Sequence, residues 1–256
     1  KNMKISNWHD TEDAFILSMT EDELLASWAE LHAADLADEP SGDLLSAWLM
    51  FHNGHYADAA KAAQKLDAEG IPVLIRSVVA YTDYICEDED ECVDLLEQVY
   101  LLGEEACDSN AQCHFPTALA MGRYSQSISI TKALAKGLGG KVKGLLSAVL
   151  EAQPEHAEAH LAMEMYHAEI IDQVGATLGS LTYGAKPKIA YQHIEQALEL
   201  VPNAINLIEA GNAVILLKGD KGMNDATAYY ERAAEVTPLD ALQKMDVDFA
   251  ASQLEE

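Results

Sequence analysis

Apolar residues recur every three or four positions along most of the chain, which is the spacing of amphipathic helices. The pattern is clear after Thr20, where Glu23 stands three positions later in the capping-box arrangement that begins many helices. Leu24, Trp28 and Leu31 then follow at helical intervals. No segment shows the strict alternation of apolar and polar residues that marks a half-buried strand. The sequence therefore predicts an all-α protein of about ten to twelve helices.

Glycine and proline positions divide the predicted helices. A helix pair is expected to break at residues 53–54, and the next helix to start at residues 70–72. From Cys113 onward, the pattern predicts one long helix and a turn at residues 139–140. A short helix then ends at Pro154.

Two segments in the C-terminal part share a spacing of small, bulky, small and proline residues. Small residues at the first and third places let two helices approach closely, the bulky residue fills the groove, and proline ends the helix. The two prolines are 36 residues apart, so the spacing indicates a repeated pair of helices. The matching residues are Ala190, Ile194, Ala197 and Pro202, and then Ala226, Tyr230, Ala233 and Pro238.

This spacing, with the sequence "PKIAYQHIEQALELVP" at residues 187–202, resembles the tetratricopeptide-repeat proteins. Residues 113–245 are also similar to the exported T-component that accompanies some TRAP transporters and, more distantly, to regulator-of-microtubule-dynamics proteins. The resemblance implies a tetratricopeptide-like right-handed superhelix of stacked helix pairs, forming a single α-solenoid domain over residues 1–256. Within it, residues 1–112 would be divergent helix pairs, and residues 113–256 a repeat block with a capping helix.

The repeat block contains an added segment. Pro154 and Pro202 are 48 residues apart, against about 34 for an ordinary tetratricopeptide unit. The added residues fall within 170–185, and insertions in solenoids lie on one face, which is often the binding face. We therefore expect a non-enzymatic adaptor that binds a protein or peptide partner through this segment. The resemblance to the T-component implies an alternative, an exported ligand-binding component that works with a transporter.

The charge balance limits the class of partner. The chain has 43 acidic and 16 basic residues, a net charge of −27. Such a surface repels phosphate backbones, so we expect no nucleic-acid partner. It serves either solubility or the attraction of a basic partner, and acidity alone does not separate the two. No run of about 18 apolar residues is present, so no membrane span is predicted. The oligomeric state is left open.

The four cysteines form two pairs with the same spacing. Cys86 and Cys92 flank one short polar loop, and Cys107 and Cys113 flank another, at the two ends of one predicted helix. We predict a disulfide across each loop, and disulfides imply a periplasmic or otherwise exported protein. The alternative is four buried thiols in a cytosolic protein. No Cys-x-x-Cys motif is present, which argues against a zinc ribbon.

Histidines and a carboxylate lie along one predicted helical stripe, at His156, His160, Glu164 and His167. The trio His160, Glu164 and His167 can ligate zinc or copper if another element supplies a fourth ligand. The alternative is that these side chains form hydrogen bonds within the solenoid or face solvent. Ligands on one straight helix seldom close around one ion, so we predict no metal or cofactor and keep this trio as an alternative.

A polar stretch interrupts another apolar helix. We expect this helix to pack against the one containing Tyr166, so that Arg123 meets a carboxylate of Glu169 or Asp172. Alternatively, Arg123 clamps an anionic ligand. No hydrolase or phosphate-binding motif is present, so we predict no enzyme and no catalytic residue. The predicted partner- or ligand-binding residues are Arg123, Tyr124, Gln126, Tyr166, His167, Glu169, Asp172 and Tyr183.

Overall fold

A computed structural model of the protein describes Met3, Ile5 and residues 7–255, and within this part of the chain every regular element is helical. The all-α prediction is confirmed. Short 3₁₀ turns lie at Ala111–Cys113 and Gly219–Gly222. The helices are α1 (Glu21–Leu31), α2 (Gly42–His52), α3 (Tyr56–Ala63), α4 (Asp67–Tyr84), α5 (Glu89–Ala106), α6 (His114–Gln126), α7 (Ile130–Ala135), α8 (Leu138–Ala152), α9 (Ala157–Val174), α10 (Ala176–Tyr183), α11 (Pro187–Leu200), α12 (Ala204–Lys218), α13 (Met223–Ala234) and α14 (Ala241–Gln253).

The chain divides into two compact units. The first unit comprises Lys1–His32, Ala37–Ala148 and Asp240–Leu242. The second unit comprises Ala33–Leu36, Val149–Leu239 and Gln243–Glu256. A single continuous solenoid stays a prediction.

In the first unit, consecutive helices pack against one another: α3 on α4, α4 on α5, and α5 on α6. The core contains fully buried Val73, Ile75, Val99 and Met121. Each such side chain contributes about 1.5–3 kcal/mol by leaving water. A close approach between α5 and α6 depends on Gly103, since a Cβ atom there would overlap the hydroxyl of Thr117.

In the second unit, α9 packs against α11 and α12, and α12 packs against α13. The predicted small positions are buried: Ala190 and Ala197 in α11, and Ala226 and Ala233 in α13. Tyr230 fills the groove beside Gly211, where a Cβ atom would lie 3.0 Å from its ring. The small residues read from the spacing are therefore buried in this unit, and the repeat arrangement stays a prediction.

Several predicted helix boundaries are confirmed and others are wrong. Thr20 forms the expected capping box with Glu23, and the break at residues 53–54 separates α2 from α3. The long helix expected after Cys113 is instead α6 and α7, and the turn before α8 comes at Gly137 (φ 66°). Residues 139–140 lie inside α8. Of the glycines at positions 137, 139 and 140, only Gly137 takes the positive φ that favours glycine, so the Gly139-Gly140 pair misplaced the turn.

The predicted disulfides are absent, because all four cysteines are free thiols. The Cys92 thiol points to the carbonyl oxygen of Cys86 at 3.8 Å, and the Cys107 thiol to Thr117 Oγ1 at 3.7 Å. Burial raises the pKa of Cys92 and of Cys113 to about 12, so neither forms a reactive thiolate near neutral pH. The two cysteine pairs do lie near the two ends of α5, but within each pair the sulfur atoms are not bonded to each other.

Among the described residues, no helix combines the length and the apolar character needed to cross a membrane.

Candidate functional site

The segment predicted to bind a partner forms an exposed, uncharged helix. Residues 173–185 contain no charged side chain, although charged residues make up 23 % of the chain. Within this segment, α10 exposes 52 % of Leu178 and 81 % of Leu181. We call these two leucines the α10 face. Large apolar side chains this exposed, in an otherwise strongly charged protein, indicate a surface that another molecule can cover.

Local backbone chemistry separates α10 from α9. Gly175 has φ 79°, which ends α9 and starts α10. Gly184, in the left-handed conformation, ends α10 with its N–H donating to Ser180. The segment predicted as an insertion therefore becomes a helix of its own, with its own start and stop.

Contacts with α9 hold α10 in place. The hydroxyl of Tyr166 donates a hydrogen bond to the carbonyl oxygen of Tyr183 at 3.3 Å. A Cβ atom at Gly179 would lie 3.2 Å from the side chain of Ile170, so the two helices approach closely there. The structure thus brings together Tyr166 and Tyr183, two residues of the predicted site, at the end of α10.

The histidine stripe of α9 meets a further histidine from α11. Nδ1 of His160 lies 2.8 Å from Nδ1 of His193, and Nε2 of His160 lies 2.8 Å from the carbonyl oxygen of Pro154. A carbonyl only accepts, so His160 carries its proton on Nε2, and His193 donates from Nδ1. The pair therefore joins α9 to α11.

The surroundings keep His193 neutral. Burial, together with the neighbouring His160 and His167, lowers the pKa of His193 from 6.5 to about 4. The ring of His167 is nearly parallel to that of His193, with centroids 6.2 Å apart. Sequence reasoning missed His193, because it belongs to another helix and its residue type does not form part of the repeat pattern.

Glu164, which belongs to the trio kept as an alternative metal site, is fully buried on α9. Neither carboxyl oxygen has a hydrogen-bond partner. Burial raises its pKa well above the ordinary value, and the charges of Glu209 and Glu169 raise it further. Among the described residues, no group of three or more metal-ligating side chains is arranged to hold an ion. In the stripe, His156, Glu164 and His167 are buried, and both ring nitrogens of His160 are already engaged.

The expected surroundings of Arg123 are wrong. Arg123 lies on α6 in the first unit, and its Nε donates to Asp83 Oδ2 at 3.2 Å. Its expected partners, Glu169 and Asp172, belong to α9 in the second unit. The other two residues of the polar stretch also stay in the first unit: Tyr124 donates to Glu97 at 2.9 Å, and Gln126 accepts from Arg123 at 3.5 Å. The predicted site therefore separates into two groups.

The first unit contains a buried polar cluster that sequence reasoning missed. His52 Nδ1 lies 2.7 Å from Asp240 Oδ2, and His52 Nε2 lies 3.1 Å from His32 Nε2. His32 stacks on Trp28 with ring centroids 3.9 Å apart. All three polar residues are buried. The only available indication was the pair of histidines on apolar helix faces, since Asp240 lies 188 residues from His52.

Comparison with known proteins gives no assignment: the chain matches no protein-family model and no curated protein sequence. The tetratricopeptide and T-component resemblances therefore stay predictions.

Proposed function

We propose that this protein is a non-enzymatic helical-repeat protein that binds a protein or peptide partner through the α10 face. The observation that carries the proposal is the exposure of Leu178 and Leu181 on a separate, uncharged helix. That helix occupies the segment added to the repeat, where solenoids commonly bind. A right-handed superhelix and an exported location belong to the same proposal.

The energetics favour a partner with its own apolar face. Covering two leucines contributes at most about 3–6 kcal/mol before the costs of association, so the α10 face needs matching side chains around it. Hydroxyl groups of Thr177, Ser180 and Thr182 lie on the same helix and offer hydrogen bonds at the rim. Small apolar anchors surrounded by a polar rim are the usual anatomy of a protein interface.

The net charge of the protein indicates the charge of its partner. At −27, the protein attracts basic molecules at long range and repels a second copy of itself. We therefore commit to a basic, amphipathic segment of a partner protein as the occupant of the α10 face.

Two fluorescent amphipathic helical peptides test this proposal. They share one leucine face, and their polar face is lysine in one peptide and glutamate in the other. The lysine peptide should bind saturably, and Leu178→Ser with Leu181→Ser should weaken binding at least about tenfold, because the anchors are removed. Leu254→Ser is the matched control, since Leu254 is 40 % exposed outside α10.

Equal binding by the double variant and the parent would contradict the proposed face. Stronger binding of the glutamate peptide would overturn the charge argument. Sedimentation analysis covers the remaining possibility: a dimer that only the double variant dissociates would show that the occupant is a second copy.

A further inference from the structure

Glu164 occupies a position in which a charged carboxylate has nothing to stabilise it. The residue is completely inaccessible to solvent, and both side-chain oxygens lack a hydrogen-bond donor. Buried residues of the same unit, Leu161 and Ala168, flank it on α9. An ionised carboxylate in such surroundings is far more costly than a protonated one.

The charged groups on the neighbouring elements add to this cost. From α12, which packs against α9, comes Glu209, and from α9 itself comes Glu169. From α11 comes His193, which is held neutral beside His160 and His167. The remaining neighbour, α10, carries no charged residue. The two charges that raise the pKa of Glu164, on Glu209 and Glu169, are therefore both negative.

We propose that Glu164 is a built-in proton-binding site of the second unit, occupied in the folded protein near neutral pH and emptied when α9 separates from α12. The neutral acid packs in the interior, whereas the ionised form requires water. Folding of this unit then takes up one proton, and alkaline pH opens it. This inference does not depend on the proposed partner.

The direction of the effect follows from linkage. The pKa of Glu164 is raised on folding, so its contribution to stability is complete below the unfolded pKa and is lost as pH rises towards the folded pKa. His193 acts in the opposite direction between about pH 4 and 6.5, because its pKa is lowered on folding. As pH rises above about 6.5, His193 becomes neutral in the unfolded state as well, so the remaining dependence comes from Glu164.

Region-resolved hydrogen exchange between about pH 6.5 and 8.5 tests the proposal. After correction for intrinsic exchange, the opening equilibrium of α9 and α12 should rise by up to about tenfold per pH unit until Glu164 ionises in the folded state. Glu164→Met and Glu164→Gln should both abolish this slope. Glu199→Gln, at an exposed position on α11, should leave it unchanged.

Infrared difference spectra of parent minus Glu164→Gln provide a readout that needs no unfolding. The parent should show the carbonyl band of a protonated carboxylic acid at neutral pH, and the variant should lack it. A carboxylate band from Glu164 at neutral pH would overturn the proposal, and so would an unchanged exchange slope in both variants. If one variant fails to fold, the spectrum of the parent with isotope-labelled glutamate still decides.

Discussion

Asp240 in the first unit and Glu164 in the second unit are both buried, and the surroundings of their two carboxyl groups differ. In the first unit, Asp240 is buried with its carboxylate 2.7 Å from His52, and His52 in turn reaches His32. In the second unit, the equally buried Glu164 has no donor within hydrogen-bond distance, and the negative charges of Glu209 and Glu169 raise its pKa. A buried carboxylate that is paired can remain charged, whereas one that is unpaired is stable only when protonated. One polar cluster therefore stabilises its unit through partners, and the other makes its unit sensitive to pH.

The largest expected effect comes from removing the partner of a buried polar group in the first unit. Asp240→Ala removes the acceptor of His52 and should destabilise the first unit by about 3–5 kcal/mol, because a buried partner loses its counterpart. Urea unfolding followed by tryptophan fluorescence measures this, since all three tryptophans (Trp8, Trp28 and Trp48) lie in the first unit.

Asp248→Ala is the matched control, because Asp248 is an exposed aspartate of α14. Asp240→Asn should cost less than Asp240→Ala, since an amide oxygen still accepts from His52. Equal and small losses for both Asp240 variants would show that the cluster is not a stabilising network.

The histidine pair of the second unit should give the next largest effect. The pKa of His193 falls from 6.5 to about 4 on folding, so stability is complete above about pH 6.5 and is lost as pH falls towards 4. At about 1.4 kcal/mol per pKa unit, lowering the pKa from 6.5 to about 4 corresponds to a loss of about 3–3.5 kcal/mol. Glu164 opposes this slope above about pH 4.5, so the effect is best measured by hydrogen exchange of α11 in a Glu164→Met background.

In that background, His193→Leu should make the stability of the second unit nearly independent of pH between about 4 and 6.5. His55→Leu changes an exposed histidine outside the pair and should leave the slope intact. An acid slope that survives His193→Leu would assign it to another group.

The contrast between local and distant contacts explains how much the sequence could predict. The capping box at Thr20 and the small residues Ala190 and Ala197 were found correctly, because each depends on neighbours within one or two helical turns. The pairing of His52 with Asp240 spans 188 residues and leaves no trace in spacing. Long-range contacts depend on how the helices pack, and this packing cannot be read from the spacing of residues in a single sequence.

The predicted site shows the same difference between local contacts, which the sequence indicates, and distant contacts, which it does not. Tyr166 and Tyr183 were grouped correctly, since consecutive helices joined by a short turn are neighbours. Arg123 was assigned to an acid of another helix pair, although Asp83 on α4 was also available and is the residue that it contacts. Charge complementarity alone allows many carboxylates as partners of Arg123, and the packing of α6 determines which one it contacts.

The close approach of α5 and α6 around the buried hydroxyl of Thr117 gives a further test in the first unit. A methyl group at Gly103 would overlap Thr117, which is fully buried and accepts from Cys107. Gly103→Ala should therefore cost about 1–3 kcal/mol by overpacking. Gly122→Ala on α6 meets no atom within 4 Å and should stabilise the helix by about 0.5–1 kcal/mol. Thermal unfolding of the two variants should shift in opposite directions, and a shared direction would contradict the close approach of α5 and α6.

The smallest expected effect concerns the link between α9 and the α10 face. Tyr166→Phe removes the hydrogen bond to the carbonyl oxygen of Tyr183, which at 3.3 Å is a long one, so the loss should be about 0.5–1 kcal/mol. Because the bond ties the end of α10 to α9, faster hydrogen exchange should be confined to α10 and leave α12 unchanged. Tyr229→Phe, on α13 of the same unit, should leave α10 exchange as in the parent. Faster exchange throughout the second unit would instead mean that Tyr166 supports the core that surrounds Glu164, and that α10 does not move independently of it.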